Sequence, residues 1–220
     1  MAAIDVDRLI EIAKYSLIDI EDPVNIVPVC LILFCLVFSG RPRGFLSFWA
    51  MFNACIIHCW MDGIIGIFAR GPKWLVEQYG ILDMRYWLTR DPMVMMISAV
   101  ELVIMGPLCL IWYHSLVQRR WYSDVVAIIT STFQLMGTIL YVGGEVLDNF
   151  VHLPSDWPPS FSKTKDLFYF WFVFVFCNSV WIFLPITIIS KSFWNISTIY
   201  HQQVKQSKPG EKKKKASKQD

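Results

Sequence analysis

Ionisable side chains inside apolar segments are the residues of this sequence that could do chemistry. His58 and Asp62 are four residues apart in one apolar run, and Ser98 and Glu101 are three apart in a later one. Residues at these spacings lie on one face of a helix, about one turn from each other. An ionisable group in hydrocarbon costs about 2.5–3.5 kcal/mol on insertion scales, so such groups face a protein interior. An imidazole and two carboxyls in an apolar cavity are suited to proton donation and abstraction.

Two further apolar runs also carry polar side chains on one face. In the last run, Asn178 and Trp181 are three residues apart. The face of a Trp ring attracts a cation, and does so more strongly where water is excluded. In the run before it, steps of 4, 3 and 4 residues trace one stripe, formed by Gln134, Thr138, Tyr141 and Glu145. Together these faces predict an acid–base site that acts on an apolar substrate through a carbocation-like state.

A structural role is the alternative for each of these residues. The hydroxyl of Ser98 or Thr138 can bond its own helix backbone. Gln134 can join two helices, and Trp181 can simply pack. Glu145 lies near a membrane boundary, where water can solvate it. The three ionisable residues can also form a purely structural hydrogen-bond network.

Five apolar runs set the fold class. Of the 220 residues, 55% are hydrophobic and 17% are charged, whereas a soluble domain carries about a quarter charged residues. A spanning helix needs about 20 mostly apolar residues. The sequence therefore predicts an all-α integral membrane bundle of five transmembrane helices, over residues 23–39, 45–68, 92–116, 123–142 and 167–189.

Charge predicts how this bundle is oriented. The sequence predicts three parts: a charged, amphipathic segment unlike a signal peptide over residues 1–22, the five-helix domain over residues 23–190, and a basic tail over residues 191–220. The end of this tail is expected to be disordered. The positive-inside rule then predicts a lumenal N-terminus and a cytosolic C-terminus. The basic residues that decide this lie in the links after the first and third runs and in the tail: Arg41, Arg43, Arg119, Arg120, Lys191, Lys205, Lys208 and Lys212–Lys215.

Partners and cofactors follow from what the sequence carries and lacks. The basic tail predicts contact with membrane lipids rather than nucleic acid. Cys55, His58 and Cys59 lie close in sequence but lack a fourth soft ligand, so no metal site is predicted. With no phosphate-binding loop and no haem or flavin motif, no cofactor is implied. Oligomeric state stays open, with a homodimer as one alternative.

Several segments closely resemble the emopamil-binding protein family of sterol Δ8–Δ7 isomerases, also called the EXPERA-domain family. The similarity covers roughly residues 45–190, and its motifs at the second and fifth helices are fairly specific together. The matching segments are CIIHCWMDG (55–63), LVEQYGILDMRY (75–86), GPL (106–108), QLMGTILYVGGE (134–145) and YFWFVFVFCNSVWIFLP (169–185).

The resemblance implies a five-helix protein of the endoplasmic reticulum membrane that isomerises a sterol without a cofactor. One acid protonates the alkene, a tertiary carbocation forms, and a neighbouring proton is removed. His58, Asn178 and Trp181 carry over directly from the family as catalytic residues, and Asp62 and Glu101 are expected to supply the acids of the second and third helices. Substrate-binding residues are expected to be Ser98, Gln134, Thr138, Tyr141, Glu145 and Trp171.

Two departures from the family pattern keep three functions open. The second-helix acid, usually Glu, is Asp62, and the third helix has Ser98 and Glu101 where the isomerases have Glu and then Thr. This exchange moves a carboxyl by about 4.5 Å along the helix axis. The leading hypothesis is a Δ8–Δ7 sterol or terpenoid isomerase. The alternatives are an enzyme of the same fold that cyclises another lipophilic substrate or opens its epoxide, and a non-catalytic sterol-binding protein.

Overall fold

A computed structural model describes residues 22–155 and 157–207. The amphipathic segment predicted for residues 1–22 lies outside the described residues, apart from Asp22. The Lys-rich end of the tail, from residue 208 onwards, lies outside them as well.

The described residues fold into helices joined by short links, with no β-strand among them. Four helices are long and apolar enough to cross a membrane, and the first is a shorter apolar helix. The all-α membrane bundle that the sequence predicts is confirmed. In chain order the helices are α1 (Pro23–Ser39), α2 (Phe45–Ile67), α3 (Lys73–Leu82), α4 (Met84–Trp87), α5 (Pro92–Val117), α6 (Ser123–Leu147) and α7 (Thr164–Gln206).

Helix α7 continues well beyond the predicted end of the fifth span at residue 189. It has 43 residues, which at 1.5 Å per residue is about 65 Å, roughly twice the thickness of the hydrocarbon layer. No Gly or Pro interrupts residues 191–206, and the Asn195 amide donates to Asp124 Oδ1 at the start of α6 (3.2 Å). The basic tail predicted from residue 191 therefore begins as a helix.

Three of the spanning helices contain π-helical turns. These wider turns cover Asn53–Ile67 in α2, Glu101–Met105 in α5 and Leu167–Cys177 in α7. Turns of this kind are rare and are frequent at functional sites. Each of them contains or directly precedes residues that the sequence predicts to be catalytic.

Hydrogen bonds and glycine residues determine the conformation of the links between helices. The Asp91 carboxylate accepts the backbone N–H groups of Met93 and Val94, which begins α5 directly after the loop. Gly40 and Gly44, with φ of 95° and 92°, turn the chain between α1 and α2 in a conformation that favours glycine. At the same end of the bundle, Ser39 Oγ pairs with His114 Nδ1 of α5 at 2.9 Å.

The other end of the bundle gathers the start of α1, helices α3 and α4, and the link between α6 and α7. The Arg70 guanidinium donates to Asp22 at 2.9 Å, and the Met84 N–H donates to the His152 carbonyl at 3.0 Å. Between the two ends, an apolar core that includes Trp49, Cys109 and Trp112 fills the half of the bundle near Gly40. The half that α3 and α4 cover contains a cavity.

Candidate active site

The side chains of His58 and Asp62 form a direct pair on α2. His58 is 1% exposed and Asp62 is 8% exposed. Their Nδ1 and Oδ2 atoms are 3.2 Å apart, as the four-residue spacing predicts. The second carboxylate oxygen of Asp62 accepts a hydrogen bond from the Tyr79 hydroxyl of α3 at 2.9 Å. Asp62 is therefore contacted by side chains from two helices, α2 and α3.

Tyr79 was not among the site residues predicted from the sequence. Burial and the nearby charge of Asp62 raise the pKa of Tyr79 well above its ordinary value. Tyr79 therefore stays protonated and remains a donor to Asp62 over the whole physiological range. The LVEQYGILDMRY segment that carries it was visible in the sequence as a family motif, and this was the signal that could have led to it.

Glu101 brings a second carboxyl group to the same place from α5. Its carboxyl oxygen, a ring nitrogen of His58 and a carboxylate oxygen of Asp62 all lie within 4.8 Å of one another. On its other side, Glu101 Oε1 faces Gly137 of α6. A Cβ atom added at Gly137 would stand 3.7 Å from this oxygen. Ser98, one turn before Glu101, is fully buried and does not border the cavity.

Three side chains from α2, α6 and α7 close the site on the far side of His58. Gln134 Nε2 lies 3.1 Å from Asn53 Oδ1 and 3.4 Å from His58 Nε2. The Trp181 indole N–H donates to the same Asn53 oxygen at 2.9 Å. Asn53, which the sequence did not suggest, is the centre of this arrangement.

A cavity of about 290 Å³ opens beside these residues. Its size lies near the lower end of the range for small-molecule pockets, about 300–1,000 Å³. Of the predicted site residues, seven border it: His58, Asp62, Glu101, Thr138, Tyr141, Asn178 and Trp181. The others that border it are mostly apolar or aromatic: Ile57, Met61, Tyr79, Leu82, Asp83, Tyr86, Ile97, Gly137, Val173 and Cys177.

The group formed by His58, Asp62 and Glu101 is the one whose spacing could also hold a metal ion within the described residues. However, His58 Nδ1 and both oxygens of Asp62 are already engaged in hydrogen bonds with protein groups. A metal ion would have to displace these partners. An imidazole and two carboxyls this close together are also suited to proton transfer.

Comparison with known proteins identifies the family. The family model EBP: EXPERA (EXPanded EBP superfamily) matches residues 72–192, which is more than half of the chain. The chain belongs to the EXPERA family. The match contains Glu101, Asn178 and Trp181, and it begins just after the α2 segment that carries His58 and Asp62.

Named relatives of this EXPERA chain include enzymes of plants and mammals. It is 26% identical to isomeliandiol synthase MOI2 of Melia azedarach over 173 residues, which cover 70% of this chain and 75% of that one. It is 25% identical to a probable 3-beta-hydroxysteroid-Delta(8),Delta(7)-isomerase of Oryza sativa subsp. japonica over 171 residues, covering 74% and 71%. It is 29% identical to the 3-beta-hydroxysteroid-Delta(8),Delta(7)-isomerase of Rattus norvegicus over 111 residues, which cover 50% of this chain and 44% of that one.

A buried ion cluster lies at the rim of the cavity in this EXPERA chain. The Arg85 guanidinium binds the Asp83 carboxylate at 2.7 Å and Glu145 at 3.2 Å, and it stands 4.6 Å from the centre of the Tyr141 ring. Burial by itself lowers the pKa of Arg85, but the hydrogen bonds and charge of Asp83 outweigh it and raise the pKa. Glu145 also accepts from the backbone and ring of His152, at 2.9 and 3.1 Å.

Four residues predicted to bind substrate do not border the cavity in this EXPERA chain. Glu145 is fully buried in the ion cluster with Arg85, and Ser98 is fully buried away from the cavity. Gln134 contacts Asn53 and His58 instead of the cavity. The indole of Trp171 stacks on Phe161, with ring centres 4.1 Å apart. In this structure these four are neighbours of the site.

Proposed function

We propose that this protein is a membrane-embedded isomerase that moves a double bond in a sterol (Δ8 to Δ7) or a related terpenoid. The observation that carries the proposal is the approach of His58, Asp62 and Glu101 to within 4.8 Å of one another beside an apolar cavity. The printed names of the relatives agree with it, since they include sterol isomerases and an isomeliandiol synthase.

The two carboxyl groups take different roles in this proposal. Two adjacent carboxylates in an apolar cavity do not both ionise, because like charges repel strongly there. The Tyr79 hydroxyl donates to one oxygen of Asp62, and His58 Nδ1 lies 3.2 Å from the other, contacts that suit a carboxylate acting as an acceptor. Among the described residues, no N–H group or hydroxyl donates a hydrogen bond to the Glu101 carboxyl, whose neighbour is Asp62. Glu101 therefore holds the proton, and Asp62 is the base.

The reaction then needs no external acid or base. The Glu101 proton forms a C–H bond with the π electrons of the substrate alkene, which leaves a carbocation and the Glu101 carboxylate. Asp62 removes a proton from a neighbouring carbon, and the electrons of that C–H bond form the new double bond. Transfer of the proton from Asp62 back to Glu101, through a bound water that exchanges with solvent, restores the starting state. The Trp181 ring, which borders the cavity, stabilises the cation by about 0.5–2 kcal/mol.

Solvent deuterium provides the experiment that tests this proposal. Purified full-length protein, reconstituted in lipid nanodiscs, is given a Δ8 sterol in D₂O, and the product is analysed by mass spectrometry. We expect a Δ7 product carrying one deuterium, because the proton on Glu101 exchanges with solvent between turnovers. The variant Glu101→Gln should give no product. Binding of sterols without conversion of any sterol or triterpenoid would instead establish the non-catalytic function.

A second candidate function has one specific observation in its favour. The carboxyl of α5 is on Glu101, which borders the cavity, whereas the position used by the isomerases is the buried Ser98. A shifted proton donor fits a substrate that presents its reactive group elsewhere, such as an epoxide or the terminal alkene of a polyene. Ring opening or cyclisation of such substrates, with no Δ7 product from a Δ8 sterol, would support this alternative.

The cellular location is proposed on the same basis. Named relatives that act on steroids and the apolar helices agree with a multi-pass protein of the endoplasmic reticulum membrane. The end of the bundle that holds Ser39 and His114 is assigned to the cytosol, because Arg41, Arg43, Arg119 and Arg120 lie there. The cavity then lies in the lumenal half.

A further inference from the structure

A continuous chain of hydrogen bonds connects the Trp181 indole to the Asp62 carboxylate. It passes from Trp181 to Asn53 (2.9 Å), from Gln134 to Asn53 (3.1 Å) and to His58 (3.4 Å), and from His58 to Asp62 (3.2 Å). Asn53 is 0% exposed and Gln134 is 1% exposed. Neither of them borders the cavity. Their contribution to the site therefore goes through His58 and Trp181, which do border it.

The direction of this chain is determined by groups that have only one hydrogen-bonding role. An indole N–H can only donate, so the atom of Asn53 that faces Trp181 must be its carbonyl oxygen. A backbone carbonyl can only accept, and the Asn53 amide nitrogen donates to the Trp49 carbonyl at 2.8 Å. The two contacts agree on one orientation of the Asn53 amide.

This orientation then determines that of Gln134. The atom of Gln134 that approaches the Asn53 oxygen must be the NH₂ group, because two carbonyl oxygens would repel each other. A side-chain NH₂ has two hydrogens, and the second one points to His58 Nε2. Nε2 can accept that hydrogen bond only if it carries no proton itself.

We propose that Asn53 and Gln134 are positioning residues that hold His58 as the neutral tautomer protonated at Nδ1. His58 then donates its Nδ1–H to Asp62, and its second nitrogen is blocked by Gln134. Asp62 is thereby kept as an acceptor with two donors, from His58 and Tyr79. The Asn53 amide also anchors the Trp181 ring. The orientation of the ring face that stabilises the cation and the ionisation of Asp62 therefore both depend on Asn53.

The consequence for catalysis rests on the proposed function, but the tautomer itself does not. If His58 were protonated at Nε2 instead, its Nδ1 would face Asp62 as an acceptor. Asp62 would then have to be protonated for the pair to bond, and it could not remove a proton from the substrate. The Gln134 amide, which does not border the cavity and lies two hydrogen bonds from Asp62, would thus decide whether the base is available.

Nitrogen NMR of the intact protein tests the tautomer without any substrate. Full-length protein labelled with ¹⁵N-histidine is measured in nanodiscs, and the His58 signals are identified as those lost in His58→Asn. We expect the wild type at neutral pH to show a protonated Nδ1 and an unprotonated Nε2. A protonated Nε2 in the wild type would overturn the proposal. The tautomer is read from the wild type itself, and only the assignment of the signals uses a variant.

Variants of Gln134 then test whether this residue holds the tautomer. Gln134→Met keeps the length of the side chain but removes both donors, so His58 should lose the single Nδ1–H form. Thr132→Val on the same helix is the control, because the Thr132 hydroxyl is exposed and bonds only the Ile128 carbonyl at 2.8 Å. Identical His58 signals in wild type and Gln134→Met would contradict the proposal.

Kinetics separate this positioning role from simple packing. In Gln134→Met, kcat should fall by about 10- to 100-fold, the range for a residue that orients a reacting group by a hydrogen bond without touching the substrate. KM should stay nearly unchanged. An equal rise in KM with unaltered kcat would mean that Gln134 shapes the cavity. If the wild type converts no sterol or terpenoid, the proposed function fails, whereas the NMR result still decides the tautomer.

Discussion

Tyr79 donates its hydroxyl to the Asp62 carboxylate at 2.9 Å across a separation of 17 residues in sequence. The two residues belong to different kinds of helix, since Asp62 lies in the spanning helix α2 and Tyr79 in the short helix α3 outside the spans. Helix α3 therefore supplies part of the acid–base site as well as covering it.

Loss of the Tyr79 hydroxyl should impair the base. A hydrogen bond to a charged group contributes about 1.5–3 kcal/mol, so Tyr79→Phe should lower kcat by roughly 10- to 100-fold. Single-turnover kinetics with the substrate found in the D₂O experiment would measure this. Tyr169→Phe is the matched control, because it removes one phenol hydrogen bond, to Gln78 Oε1 (3.0 Å), away from the cavity. Unchanged turnover of Tyr79→Phe would remove Tyr79 from the site.

Moving the acid of α5 from position 101 to position 98 should abolish activity. In the double variant Ser98→Glu with Glu101→Thr, the family pattern is restored, but position 98 is fully buried behind the cavity wall. We therefore expect loss of activity on the native substrate and a lower melting temperature, measured on purified protein. Binding of a neutral sterol should persist in the single variant Glu101→Gln. Full activity of the double variant would mean that the carboxyl can act from either turn of α5.

Two substitutions of Trp181 should separate its ring face from its N–H group. Trp181→Phe keeps an aromatic face but loses the donor to Asn53, whereas Trp181→Leu loses both. Affinity for amine-bearing mimics of the carbocation should fall by about 0.5–2 kcal/mol in Trp181→Leu and by less in Trp181→Phe. Neutral ligands should bind both variants similarly, which competition binding in nanodiscs measures. Equal losses for neutral and cationic ligands would show that Trp181 only packs.

Removal of the Arg85 guanidinium should destabilise the fold. Arg85→Met leaves the buried carboxyls of Asp83 and Glu145 without their cation, and breaking such a group costs about 3–5 kcal/mol. The free energy of unfolding in detergent should fall by this order. Arg90→Met is the control, since Arg90 is exposed and donates to the Ile67 carbonyl at 3.0 Å. Similar stability of the two variants would mean that the cluster contributes little.

The two ends of the chain should lie on opposite sides of the membrane. Basic residues in the links beside Ser39 and His114 favour the cytosol for that end of the bundle. A tag after Asp220 should therefore be digested by protease in sealed microsomes, while a tag before Met1 is protected. The reverse pattern would contradict the proposed orientation and place the cavity in the cytosolic half.

The pairing of His58 with Asp62 shows what could be predicted from sequence alone. A spacing of four residues on one helix places two side chains together whatever the rest of the bundle does, and this prediction is confirmed at 3.2 Å. The length of the apolar runs likewise predicted a helical membrane bundle, because four of the runs are long enough to span the hydrocarbon layer by themselves. Both properties are local, so the sequence carries them in full.

Asn53 shows what only the tertiary structure decided. Five residues from His58, it would point about 140° away on a regular α-helix, at 100° per residue. The π-helical turns over Asn53–Ile67 and the approach of α6 and α7 bring it into one network with Gln134, His58 and Trp181. Likewise, Glu145 shares the polar stripe of Thr138 and Tyr141, yet it binds Arg85 in an ion cluster and does not border the cavity. Spacing along a helix specifies which residues share a face, but the rotation and packing of helices determine which face meets the substrate.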